Sequence, residues 1–163
     1  MTFEEYVLTR GPALLRLARL LVDDVHRADD LVQDTLVRVY PRWAKILRTD
    51  QPDLYVRRVL VNVNASWWRR RSSREVPAVF DVDVWPGAGD HGAPVAERVA
   101  LWDKVRALPG KQRAVIALRY YEDLDDDRIA QILGCSRATV RTHAMRALAA
   151  MRVELHELEG TSR

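Results

Sequence analysis

Late in the chain a run of residues has side-chain types suited to contact with a polyanion. Arg137, Thr139, Arg141, Thr142, His143 and Arg146 recur at helical spacing, and no acid stands between Asp127 and Glu154. Arginine matches guanine edges and phosphates, and threonine hydroxyls match backbone oxygens. A second such group stands earlier. Arg57, Arg58, Arg69, Arg70, Arg71 and Arg74 accompany Asn62, Trp67 and Trp68 in a stretch from Leu54 to Arg74 that also lacks any acid. An aromatic ring beside arginines suits a splayed base whose phosphates the arginines hold. The bland alternative is the same in both places: arginines that merely solvate a helix, over apolar residues that merely form core. For Trp67 the core role is the better reading. For Trp68 both roles stay open.

The elements that must position these groups follow from local signals. Within Asp125–Arg152, Ile129, Ala130, Ile132 and Leu133 fall on one side of a short helix. Gly134 stops it, because glycine tolerates positive φ. Ser136 is a good N-cap for the next helix, whose apolar stripe is Val140, Ala144, Ala147, Leu148 and Met151. Two short helices joined by a tight turn containing glycine make a helix-turn-helix. The basic residues then lie on the outer face of its second helix. The acidic run Glu122–Asp127 is read as capping for the first.

Upstream, Thr2 and Glu5 form a capping box for a first helix. Gly11-Pro12 is expected to interrupt it, with a continuation through Leu21. Asp23-Asp24 ends or caps that segment. A second helix is expected over Val25–Trp43, shortened or kinked at Pro41. Its inner face is Ala28, Val32, Thr35, Leu36, Val39 and Trp43, and its outer face carries Asp30, Gln33, Asp34 and Val37. Lys45–Asp53 reads as a loop, and Pro52 opens the basic-aromatic helix. There Val56, Val59, Leu60, Val63 and Trp67 point inward, with Arg58, Val61, Asn62, Trp68 and Arg69 outward. Ser72–Pro94 changes character, with three prolines, three glycines and Asp81, Asp83 and Asp90. Such a stretch is usually a linker or a functional loop, and proteolysis is expected to cut there first. Helices resume near Val95 with a seam of Val99, Trp102, Val105 and Leu108. A further helix starts near Pro109.

The whole chain sets the bounds. Its 163 residues are 48% hydrophobic and 30% charged, with a net charge of +3. That suffices for one domain or two small ones. Cys135 is the only cysteine, so no internal disulfide forms and a reducing compartment, the cytoplasm, is expected. His26, His91, His143 and His156 are scattered without ligand spacing, so neither metal nor cofactor is expected. There is no phosphate-binding glycine loop after a strand and no nucleophile elbow. No enzyme is expected. No apolar run approaches the ~20 residues of a membrane span. The opening MTFEEYVLTR is acidic and amphipathic, unlike a signal peptide.

Three stretches carry a resemblance: ADDLVQDTLVRVYPRW (Ala28–Trp43), YVRRVLVNVNASWWRRR (Tyr55–Arg71) and LPGKQRAVIALRYYEDLDDDRIAQILGCSRATVRTHAMRAL (Leu108–Leu148). In this order and length they resemble the extracytoplasmic-function (ECF) group of bacterial sigma-70 factors. FEEYVLTRGPALLRLARLL (Phe3–Leu21) looks like an actinobacterial, SigE-like subgroup. The resemblance implies an all-α chain of two small helical domains. Sigma region 2 would span residues 1–71, a flexible linker 72–94, and sigma region 4, with the helix-turn-helix, 95–163. It implies a promoter-specificity subunit of RNA polymerase. Asp30, Gln33, Asp34 and Val37 would dock on core polymerase. The loop Lys45–Asp53 would capture a flipped base of the minus-ten element, beside Arg57, Arg58, Asn62, Trp68 and Arg69. Ser136, Arg137, Thr139, Arg141, Thr142, His143 and Arg146 would meet the minus-thirty-five element in the major groove. Core RNA polymerase and promoter DNA are the expected partners, an anti-sigma factor is a further one the resemblance allows, and no membrane insertion is expected. The rival readings are a stand-alone helix-turn-helix regulator and a helical adaptor whose basic patches are incidental.

Overall fold

A computed structural model describes residues 1–72 and 95–161, and the side chains of 1–70 and 101–152. The linker expected over 72–94 lies, beyond Ser72, outside the described residues, as does the side chain of Val99. Every regular element among the described residues is helical: α1 (Phe3–Leu21), α2 (Val25–Val39), a 3-10 turn (Tyr40–Arg42), α3 (Trp43–Ile46), α4 (Pro52–Ser72), α5 (Val95–Ala107), α6 (Gly110–Ile116) with a π turn (Ala117–Tyr121), α7 (Asp126–Leu133) and α8 (Arg137–Thr161). No described helix is long and apolar enough to cross a membrane.

The helix ends sit where short side chains satisfy orphan amides. The Thr2 hydroxyl accepts from the Glu5 amide and the Glu5 carboxylate accepts from the Thr2 amide, the reciprocal capping box. Asp24 caps α2 by accepting from the His26 amide at 2.8 Å. Pro41 ends α2 at Val39, and the chain passes through the 3-10 turn before helix resumes at Trp43. The expected break at Gly11-Pro12 does not occur, and α1 runs through Pro12. Proline removes the donor to the carbonyl of Leu8 and crowds that oxygen with its ring. Leu8 lies on the exposed side of α1, where water can satisfy that oxygen.

α1, α2 and α4 form the first bundle, around Leu14, Leu17, Ala28, Leu31, Val56 and Leu60. Phe3, Tyr6, Tyr40 and Trp43 form an edge-on and tilted ring cluster that ties α1 to the end of α2. α6, α7 and α8 form the second bundle, with Val115, Leu118, Ile129, Ile132, Val140 and Ala144 buried. Helices α1 and α4 of the first bundle pack on α6, the π turn and α7 of the second, so these side chains make one continuous apolar cluster. This contact is the main feature that local sequence signals did not announce.

Two arginines make the contact specific. Arg113 of α6 is a charged side chain only 3% exposed. Its Nε donates to the carbonyl of Leu20 at 2.7 Å, Nη2 to that of Val22 at 3.1 Å and Nη1 to the Asp23 carboxylate at 2.9 Å. Leu20 and Val22 bracket the C-terminal end of α1, where carbonyls lack helical partners and the helix dipole favours a cation. Burial pulls Arg113 below its ordinary value, and Asp23 opposes that. Across the same junction Arg57 of α4 pairs with Asp53 at 2.9 Å and with Glu122 at 2.8 Å. The Tyr6 hydroxyl donates to the other Asp53 oxygen at 2.8 Å, extending the chain of contacts into α1.

Removing Arg113 leaves two carbonyls at the end of α1 without their donor while they stay buried. Arg113→Ala is therefore expected to cost on the order of 3 kcal/mol of unfolding free energy, read by urea denaturation. An unchanged midpoint would show that the two bundles do not depend on this guanidinium. Glu122 gives a second expectation. Burial pushes its carboxyl above the usual carboxylate range; Arg57 offsets part of this, Asp53 adds to it and Arg16 opposes it. A raised carboxyl contributes stability that is complete below its ordinary value and is lost as pH rises through the raised one. Glu122→Gln cannot ionise, so its melting temperature should gain on the parent protein as pH rises from about 4 to about 8. A difference that stays flat or shrinks with pH would contradict the burial of this group.

Candidate nucleic-acid interface

The helix-turn-helix is built as its residue types dictate. Asp125 caps α7 by accepting from the Arg128 amide at 2.9 Å. Gly134 ends it at φ 66°, a left-handed conformation with little cost only for glycine. The Ser136 hydroxyl accepts from the Thr139 amide at 3.1 Å and caps α8. Val140, Ala144 and Ala147 are buried, which turns Arg137, Arg141 and Arg146 outward. Ser136 is exposed as well, while Thr139, Thr142 and His143 are half-buried at the flanks. Thr142 donates to the carbonyl of Ala138, so its hydroxyl proton is engaged within the helix.

Acids from α7 meet the front of α8. Arg137 Nε lies 3.2 Å from Asp127, and Arg141 Nε 3.4 Å from Asp126. His143 is held below its ordinary value by burial and by Lys111 and Arg146. Its Nδ1 is buried without a hydrogen-bond partner. Met145 is exposed on the same helix, an apolar group that the pattern of basic residues does not mark.

On α4 the outward positions Arg58, Asn62 and Arg69 line one face, with Trp68 exposed beside them. Val61 was expected outward and is buried, because this side of α4 meets the second bundle. Four residues before it, Arg57 is only 15% exposed and engaged with Glu122 and Asp53. The structure therefore does not bring Arg57 to the face that carries Arg58 and Asn62. Trp67 is half-buried, packed on the core, with the Arg27 guanidinium 5.8 Å over its ring. The loop before α4 is shorter than expected, since Trp43–Ile46 is helical. Thr49, Asp50, Gln51, Leu54, Tyr55 and Arg58 line a cleft of about 330 Å³ there, and Gln131 of α7 closes one side.

The outer face of α2 is as expected. Asp30 and Gln33 are exposed, and Val37 is 70% exposed. Asp34 is half-exposed and pairs with Arg38 one turn on, at 3.1 Å. Tyr40 continues this apolar exposure at the helix end.

Comparison with known proteins gives these faces a frame. The family model for sigma-70 region 2 matches residues 7–74, and that for sigma-70 region 4 matches residues 98–151. The RNA polymerase sigma-E factor of Streptomyces avermitilis is 43% identical over 157 residues, covering 95% of this chain and 86% of its own length. The ECF RNA polymerase sigma factor SigL of Mycobacterium tuberculosis is 32% identical over 152 residues, covering 89% and 84%. The sigma factor RpoE of Bartonella quintana, solved in complex with the anti-sigma factor NepR, shares the fold at a TM-score of 0.77, with 24% identity over 94% of this chain and 96% of that one. With both regions matched in order, and relatives of this identity aligned over nearly its whole length, the chain belongs to the sigma-70 family, in the actinobacterial extracytoplasmic-function group.

Proposed function

We propose that this chain is a promoter-specificity subunit: it binds core RNA polymerase, recognises promoter DNA at the minus-thirty-five and minus-ten elements, and helps melt it for initiation. The observation that carries this is the pairing, in one chain, of a region 2 module bearing the basic-aromatic helix α4 with a region 4 module bearing an acid-free outward face on α8. A stand-alone regulator has no use for the first of these. Region 2 is assigned to residues 1–71, the linker to 72–94 and region 4 to 95–163. The chain supplies no catalytic residues, and bond-making belongs to the polymerase. It works where polymerase works, in the cytoplasm. An anti-sigma factor, such as the relative from Bartonella quintana is solved with, is a further partner of this kind of chain.

The roles divide by face. Asp30, Gln33, Asp34 and Val37 present an acidic and apolar patch to core polymerase. Arg58, Asn62, Trp68 and Arg69 serve the minus-ten strand, with the cleft beside Tyr55 and Arg58 of a size for an unstacked base. Arg57 joins them only when its contact with Glu122 opens, because one guanidinium edge cannot hold both a carboxylate and a phosphate. Ser136, Arg137, Thr139, Arg141, Thr142 and His143 form the groove-facing front of α8.

Within that front the outward Arg141 reads a base edge, and Arg146, a turn further on, holds phosphate. Losing a bidentate base contact costs ~1–3 kcal/mol and relaxes preference at that position. Losing a phosphate contact weakens all sequences alike and lowers the salt slope by about one. Transcription by the reconstituted polymerase from a library randomised in the upstream element, at two salt concentrations, separates the two. Arg141→Ala should flatten preference at one position, and Arg146→Ala should weaken use of every sequence without changing the preferred one. If Arg141→Ala keeps full preference and only the salt slope falls, the roles are wrongly assigned. If neither variant alters promoter use, α8 is not the reader.

A further inference from the structure

The start of α7 holds a carboxylate that serves two arginines of different character. Asp126 Oδ1 accepts from Arg119 Nη2 at 2.7 Å, and Oδ2 accepts from Arg141 Nε at 3.4 Å. The Asp126 side chain is 19% exposed, whereas that of Arg141 is 64% exposed. The carboxylate is thus seated in the protein, and the guanidinium it touches projects outward. An arginine held through Nε keeps both Nη groups available. Those two donors are the pair that matches O6 and N7 of guanine.

We propose that Asp126 is a positioning residue for Arg141, holding its guanidinium in the orientation that reads a guanine of the upstream promoter element, with Arg119 holding Asp126 in turn. This rests on α8 being the groove helix. A long side chain that docks from solvent loses rotamer freedom, and a fixed carboxylate behind it removes part of that loss beforehand. Arg119 also neutralises Asp126, so that a carboxylate can stand behind the reader without net repulsion of phosphate. The neighbouring pair of Arg137 and Asp127 lacks these features. Both of its side chains are more than half exposed, at 60% and 64%, and no second arginine is paired with Asp127 among the described residues. Exposed pairs of that kind contribute little.

The test uses full-length protein with core polymerase and the same randomised upstream element. Asp126→Asn is the informative variant, because it puts an NH2 donor in place of one of the two oxygens that accept separately from Arg119 and Arg141, and removes the charge. It should lower the guanine preference about three- to tenfold at the one position that Arg141→Ala flattens, and leave the other positions alone. The double variant should show no loss beyond Arg141→Ala. Circular dichroism melts of each variant guard against misfolding. Unchanged preference in Asp126→Asn, or an equal loss at every position, overturns the proposal while leaving Arg141 as reader. Full preference in Arg141→Ala removes the reader itself, and the proposal falls with it.

Discussion

A buried guanidinium ties the two halves of this protein together. Arg113 belongs to the region 4 module, yet all three of its recorded partners lie at the end of α1 in region 2. A cation at a helix C-terminus, donating to carbonyls that have no helical partner, is stabilised by the dipole and by the hydrogen bonds alike. Because the group is almost fully buried, its charge is tolerable only in that geometry. The position of α6 relative to α1 is therefore defined within narrow limits. The apolar cluster that runs through both bundles packs beside this guanidinium.

The same packing decides which of the groups proposed to meet the promoter are exposed. Helix α4 has two sides that matter. Arg58, Asn62 and Arg69 are exposed, while Val61 is buried and Arg57 is half-buried and paired with Glu122 of the second bundle. The cleft beside Arg58 has one wall from each module, since Gln131 belongs to α7. The outer face of α2 and the front of α8 do not depend on this junction, and both are open in the packed arrangement.

What could be read in the sequence was what acts over three or four residues. The capping box at Thr2, the end of α1 before Asp23-Asp24, the cap at Ser136, the stop at Gly134 and the end of α2 at Pro41 are all local, and each stands where its chemistry places it. The outward faces of α2 and α8 followed from apolar periodicity alone. What local signals did not show has long-range causes. Val61 looks outward on a lone amphipathic helix and is buried because another bundle covers it. Arg57 looks like a phosphate ligand, and its second partner, Glu122, is contributed by the other module. Arg113 stands among Ala114, Val115, Ala117 and Leu118, and an arginine in an apolar run was the available hint. Its partners lie 90 or more residues away in the chain. Gly11-Pro12 misled for another reason: a missing donor is cheap where the orphaned carbonyl meets water.

Promoter choice passes through this chain to a polymerase that otherwise lacks it. The most direct measurement is to mix the protein with core RNA polymerase and fragmented genomic template, and to sequence the 5′ ends of the transcripts. Starts are expected at discrete positions, each preceded by a shared pair of upstream elements, and absent with core polymerase alone. The same transcripts with and without the protein would contradict it. So would a protein that binds duplex sites tightly by itself and adds no start to the polymerase.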